Sequence, residues 1–188
     1  MLATIVLVLA NIAVYALFAA RAPSPLTVGE FSPAMALTLN ALKEGEMSRL
    51  VTSLFFHFDL PHLGYNMLFL LIFGSRCEEI FGTRRFLVIY FASGFFSSLS
   101  IFFYPEGSVL AGASGAIFGL LGSVLIAQRS EYAHGFATSL LYGIIFFLIA
   151  VATGFMAHLL GLVMGFVLGY VFTYGEATPP HPPPDSYR

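Results

Sequence analysis

The chain has 188 residues, 58% of them hydrophobic and only 10% charged, with a mean hydropathy of +0.87. Soluble domains carry roughly 25% charged residues, so these few charges cannot cover a water-soluble globule, and lipid must be the solvent for most of the outside. A formal net charge of −2 speaks against nucleic acid or any acidic partner. The single cysteine, Cys77, excludes an intrachain disulfide and a multi-cysteine metal site; it is expected only to pack.

Crossing about 30 Å of hydrocarbon takes roughly 17–25 apolar residues. Six stretches qualify, at 2–20, 61–81, 86–104, 112–128, 136–153 and 155–173. The expected fold is an all-α membrane protein, one six-helix domain over residues 1–174. The first stretch has an alternative reading as a signal peptide ending near Ala20-Arg21-Ala22. No Lys or Arg precedes it, however, and it is longer than the roughly 7–15 apolar residues of such a segment.

The first loop, 21–60, is more than a connector. Pro33 to Leu42 reads as a short helix, and Leu50 to Phe58 is an apolar aromatic run too short to span. Both are expected to lie against the membrane surface. The fifth and sixth helices almost touch, with only Val151 to Phe155, and Gly154 inside that run, to reverse the chain. Residues 175–188, with five prolines in the last ten, read as an extended or disordered tail.

Arg76, Arg84, Arg85, Arg129 and Arg188 lie in the even-to-odd connections and the tail, and the 3–4 and 5–6 connections hold no Lys or Arg. That places both termini in the cytoplasm, with the plasma membrane as the expected location. Arg21, Lys43 and Arg49 in the long first loop argue the other way.

An ionisable residue inside a bilayer is a functional candidate by default. His62 and Asn66 open the second helix, Ser114 the fourth and His158 the sixth. These three helices run in the same direction, so their N-terminal ends share one face of the membrane. Each residue lies within about five positions of its helix start, less than roughly 8 Å deep. His62 and Asn66, four apart, project from one side of their helix.

A serine hydroxyl needs a base within hydrogen-bond reach to become a nucleophile. The only lysine is Lys43 in the first loop, and helices 4 to 6 hold no Asp or Glu. A Ser114–His158 dyad remains. Asn66, His62 and the Ser114 backbone N–H are candidates to stabilise an oxyanion. Gly115 and Gly119, then Gly161, Gly165 and Gly169, recur at four-residue spacing, a pattern that lets helices approach closely. Singly, each has a plain structural explanation: serine in an apolar helix usually bonds a carbonyl one turn back, and small-residue faces are common. Their coincidence at one depth favours a site.

Gly112-Ala113-Ser114-Gly115 resembles the G-x-S-G nucleophile motif of the rhomboid intramembrane proteases. Ala157-His158 with Gly161 and Gly165 is similar to that family's A-H-x-x-G-x-x-x-G helix, and His62 with Asn66 to its H-x-x-x-N. Arg49, His57, and Glu78 followed by Phe81-Gly82 fall where the family carries an Arg, a His and an E-x-x-x-G turn. The likeness covers about residues 45–172. It implies a serine endopeptidase cutting transmembrane protein substrates in the bilayer, with no cofactor or metal. It further implies a short central helix 4, a cavity open to the non-cytoplasmic side, a first loop (21–60) inserted partway into the membrane and a gate at helix 5 with its following loop. Three positions depart from the pattern: Phe118 replaces a frequent Tyr, Ser48 replaces a frequent Trp, and the 5–6 connection is too short for the usual cap. The competing readings are a catalytically inactive relative that binds transmembrane clients, and a small channel or transporter. The first typically lacks the serine or histidine present here. The second would want charged or broken helices near the midplane.

Overall fold

The computed structural model describes residues 1–20, 35–130, 136–150 and 154–175. Helix α1 (Leu2–Ala19) has no charged residue; it buries Thr4, Leu7, Val8, Asn11 and Tyr15 and turns Leu2, Val6 and Leu9 outward. Among the described residues, three helices are long and apolar enough to cross a membrane: Leu2–Ala19, the composite Leu60–Phe103 and Phe155–Tyr174. Ser114–Gln128 and Ala137–Leu148 are shorter apolar stretches. Large apolar side chains cover the outside, Phe102, Leu148, Leu141 and Val167 among them, as lipid contact requires. The chain is a multi-pass integral membrane protein.

The first loop departs from expectation. The expected Pro33–Leu42 helix begins only at Leu39; its first two residues lie outside the described residues. Leu37–Thr38 (β1) is extended and pairs antiparallel with Val109–Leu110 (β2). Thr38, itself extended, then caps the short helix α2 (Leu39–Lys43) by accepting the Ala41 N–H at 3.1 Å. Helix α3 (Arg49–Thr52) and a 3₁₀ turn at Ser53–Phe55 follow. The apolar run packs against the bundle: Leu50, Leu54 and Phe56 are buried, and Phe56 meets Phe18 of α1 edge to face at 5.4 Å.

Helix α4 (Leu60–Phe69) opens under an Asp59 cap, whose carboxylate accepts the His62 N–H at 2.6 Å, with Pro61 in the first turn. A π-helical turn at Leu70–Gly74 leads into α5 (Ser75–Ser98), and a 3₁₀ turn at Leu99–Phe103 closes the run. Gly82 breaks α5 at φ 75°, ψ 164°, a conformation left to glycine. The break divides the run into 60–81 and 83–103, which overlap the expected stretches 61–81 and 86–104. Glu78 sits beside it. Its carboxylate accepts the N–H groups of Ala3 and Thr4 at 3.2 and 2.9 Å, the Thr4 hydroxyl at 2.8 Å and the Thr83 hydroxyl at 3.0 Å. A carboxylate at the α1 N-terminus is favoured by the helix dipole, and here it ties α1 to the Gly82 turn.

Helix α6 (Ser114–Ser130) is the centre of the bundle, with Ala113, Ala116, Ile117, Phe118, Leu120, Leu121 and Val124 all buried. It begins at Ser114 rather than 112 because Gly112 has φ 109°, incompatible with a right-handed helix. Helix α8 (Phe155–Tyr174) lies against it backbone to backbone at Gly161 and Gly165. A Cβ on Gly161 would collide with the Gly115 carbonyl, and one on Gly165 with the Gly119 carbonyl. Helix α7 (Phe136–Ala150) is the most exposed; its buried Phe146 stacks on Phe118 at 4.6 Å and meets Phe69 at 4.4 Å. Residues 151–153 of the 5–6 connection and 176–188 of the tail lie outside the described residues.

Candidate active site

The chain entering α6 is held by the first loop. The Gly112 N–H donates to the Ser53 carbonyl at 2.9 Å, and the Ala113 N–H donates to His57 Nε2 at 3.5 Å. The Ala113 carbonyl accepts the first helical bond, from Ile117 at 3.0 Å. Ser114 is therefore the first helical residue, and helix geometry leaves its own N–H without an intrahelical partner. That N–H and the dipole of α6 together favour negative charge beside the hydroxyl.

His158 lies one turn into α8, its N–H donating to the Gly154 carbonyl at 3.1 Å. Its Nε2 is 2.9 Å from Ser114 Oγ, across 44 residues of chain. The ring rests on Phe118 with centroids 4.7 Å apart at 32°, so the phenyl ring supports the imidazole at the position where tyrosine was the frequent residue. His158 Nδ1 makes no hydrogen bond to the described residues. Among the described residues the arrangement is a pair with no carboxylate on the second ring nitrogen. For Nε2 to accept the serine proton, the ring hydrogen must sit on Nδ1.

Both groups line a cavity of about 410 Å³ walled by the first loop, α4, α5, the Gly112 turn and the start of α8. Ser114 is 9% and His158 5% exposed, so the pair is nearly closed off from solvent. His62 reaches it from α4. Its ring is caged by Phe58 (5.8 Å, 19°), Tyr65 (5.4 Å) and His57 (5.0 Å), with Nε2 directed at the Gly112 turn. Three of the four intramembrane polar groups therefore meet in one cavity.

Asn66 does not join them there. It is fully buried, its amide nitrogen donates to the His62 carbonyl at 2.8 Å, and it is absent from the cavity wall. A carbonyl one turn back is within reach of a buried amide on the same helix, and that bond forms. Arg49 and Glu78 also lie away from the cavity. Arg49 pairs with Glu46 and donates to the Ala36 carbonyl at 3.0 Å, closing the first loop on itself, and Glu78 caps α1. Gly112 and Gly115 line the cavity, while Gly161 and Gly165 form the contact that brings α8 against α6.

Sequence reasoning missed several hydroxyls and one acid on the wall: Ser53, Asp59, Tyr65, Ser97 and Ser98. Asp59 was recoverable, since Asp-Leu-Pro is a helix-start signal. The serines of α5 carry no such signal, since serine in an apolar helix usually bonds a carbonyl one turn back. His57, seen only through the family likeness, is fully buried. Burial first, and the neighbouring His62 second, push its pKa down to about 3, so it is neutral and able to accept from Ala113. Among the described residues no group of three or more His, Cys, Asp or Glu is placed to hold a metal ion.

A family model described as the Rhomboid domain matches residues 44–175. The rhomboid protease GluP of Bacillus subtilis is 43% identical over 91 residues, 48% of this chain and 18% of that protein. The putative rhomboid protease YdcA of the same organism is 34% identical over 128 residues, 63% of each chain. RHOMBOID-like protein 5 of Arabidopsis thaliana is 34% identical over 164 residues, 79% of this chain and 53% of that one. The chain thus spans less than two thirds of the length of each of these relatives.

Proposed function

Because the chain belongs to the rhomboid family, with a serine and a histidine in hydrogen-bond contact at its centre, we propose that it is an intramembrane serine endopeptidase acting on transmembrane protein substrates. The observation that carries this reading is the 2.9 Å contact between Ser114 Oγ and His158 Nε2. Ser114 Oγ attacks the scissile carbonyl while His158 Nε2 takes its proton; His158 then returns that proton to the leaving amine. Water, deprotonated by the same imidazole, hydrolyses the acyl-enzyme and frees Ser114. The Ser114 N–H and His62 stabilise the oxyanion, and Asn66 supports His62 from behind through its carbonyl.

The membrane arrangement belongs to the same proposal. All six helices cross the bilayer, α6 being the shortened central one, with the cavity on the non-cytoplasmic side and both termini in the cytoplasm of the cell membrane. The described part of the first loop, 35–60, dips partway into the membrane. Substrates approach beside α7, whose hold on the bundle centres on Phe146. A fluorophosphonate added to detergent-purified protein should label Ser114 alone among the serines; labelling that persists in Ser114→Ala would remove the assignment.

A further inference from the structure

Helix α8 starts without a cap of its own. Its N-cap is Gly154, left-handed at φ 77°, ψ 31°, with no side chain to accept a hydrogen bond. The first intrahelical bond runs from the His158 N–H to the Gly154 carbonyl, so the three N–H groups before it have no helical partner. One of them is nonetheless satisfied. The Met156 N–H donates to the Tyr104 hydroxyl oxygen at 3.1 Å, across 52 residues. Tyr104 follows the 3₁₀ turn that ends the third stretch, and it is half-buried between the exposed Phe103 and Pro105.

We propose that Tyr104 is the N-cap of α8, supplied from another element, and is thereby a positioning residue for His158. An ordinary cap accepts the N–H of the second or third helical residue, and Met156 is the second. His158 stands two residues further on in the same turn, so fraying there would swing the imidazole off Ser114 Oγ. Gly154 itself has no side chain with which to hold that turn. Phe118 supports one face of the ring but does not fix the height of the backbone that carries it. The Tyr104 hydroxyl does. The positioning role rests on the protease reading; the cap itself does not.

Two variants remove opposite ends of the bond in the full chain in detergent. Tyr104→Phe deletes the acceptor and keeps the ring. Met156→Pro deletes the donor at a second helical position, where α4 already carries Pro61 and proline is tolerated in a first turn. Hydrogen exchange of the amides at 155–158 should be roughly 2- to 30-fold faster in Tyr104→Phe, the factor associated with a lost cap. Turnover of a single-span substrate should fall on the order of 10- to 100-fold in kcat at unchanged KM. The double variant should be no slower than the worse single one. Unchanged exchange, additive losses, or a kcat reduced only in proportion to unfolded protein would each overturn the proposal. If Tyr104→Phe does not fold, Met156→Pro carries the same comparison. If the wild type neither cleaves nor takes the fluorophosphonate, the protease reading is what fails, and exchange at Met156 still decides the cap.

Discussion

The His62 imidazole rests on the backbone of Gly112: a Cβ there would stand 2.7 Å from Nε2 and 2.9 Å from Cε1. Gly112, two residues before Ser114, is thus shaped by a side chain from another helix, and its φ of 109° is one that residues with a Cβ rarely adopt. Gly112→Ala carries both strain, about 1–3 kcal/mol for such a conformation, and displacement of His62. It should lose cleavage as severely as His62→Ala, for which losing one oxyanion donor predicts about 10²–10³ in kcat. Steady-state cleavage of a single-span substrate checks both; a Gly112→Ala enzyme near wild-type rate would detach His62 from the oxyanion role.

Asn66 should behave differently, since its amide is bonded to its own helix. Asn66→Ala removes a buried hydrogen bond, about 0.5–1.5 kcal/mol, and should lower the melting temperature while leaving turnover per folded molecule within about tenfold of wild type. Melting and turnover measured on one sample decide it. A loss of about 10²–10³ in kcat at unchanged melting temperature would return the amide to the oxyanion.

The α6–α8 contact is a packing test. Gly161→Ala forces a methyl into the Gly115 backbone, where overpacking costs about 1–3 kcal/mol. Because that contact brings His158 to Ser114, fluorophosphonate labelling should fall together with the melting temperature. Gly64→Ala, whose added Cβ meets nothing within 4 Å, is the control and should keep both. Normal labelling in Gly161→Ala would mean that the helices have room to spare.

His57 makes stability depend on pH with a defined sign. Its folded pKa of about 3 lies below the ordinary histidine value of 6.5, so the unfolded chain takes up the proton first. The stabilisation is whole above pH 6.5 and is lost as pH falls from there towards 3, at up to about 1.4 kcal/mol per unit. Melting temperatures between pH 7.5 and 4.5 should therefore fall less steeply in His57→Gln, which cannot titrate, than in wild type. Equal slopes would contradict a neutral, buried His57.

The parts of this molecule that were legible are those where chemistry contrasts with an apolar background. Ser114, His158 and His62 stood out as polar groups near the starts of three parallel helices, and helix direction alone put them on one face. Gly82 was legible only through the likeness to the family's E-x-x-x-G turn. What was not legible depended on distant partners. The pairing of Leu37–Thr38 with Val109–Leu110 leaves no periodic signal in two residues. The choice of the Asn66 amide between its own helix and the cavity is a rotamer, not a spacing. Tyr104 is one of nine tyrosines, and only the uncapped start of α8 singles it out.

The central claim is that Ser114 and His158 act as one unit, and cleavage by single and double variants tests it most directly. Purified wild type should cut a generic single-span substrate within its membrane segment. Ser114→Ala and His158→Ala should each fall to background with melting temperatures near wild type. The double variant should be no worse than either, because residues acting as a unit are non-additive. Substantial proteolysis by either single variant, or further loss on combining them, would contradict the account.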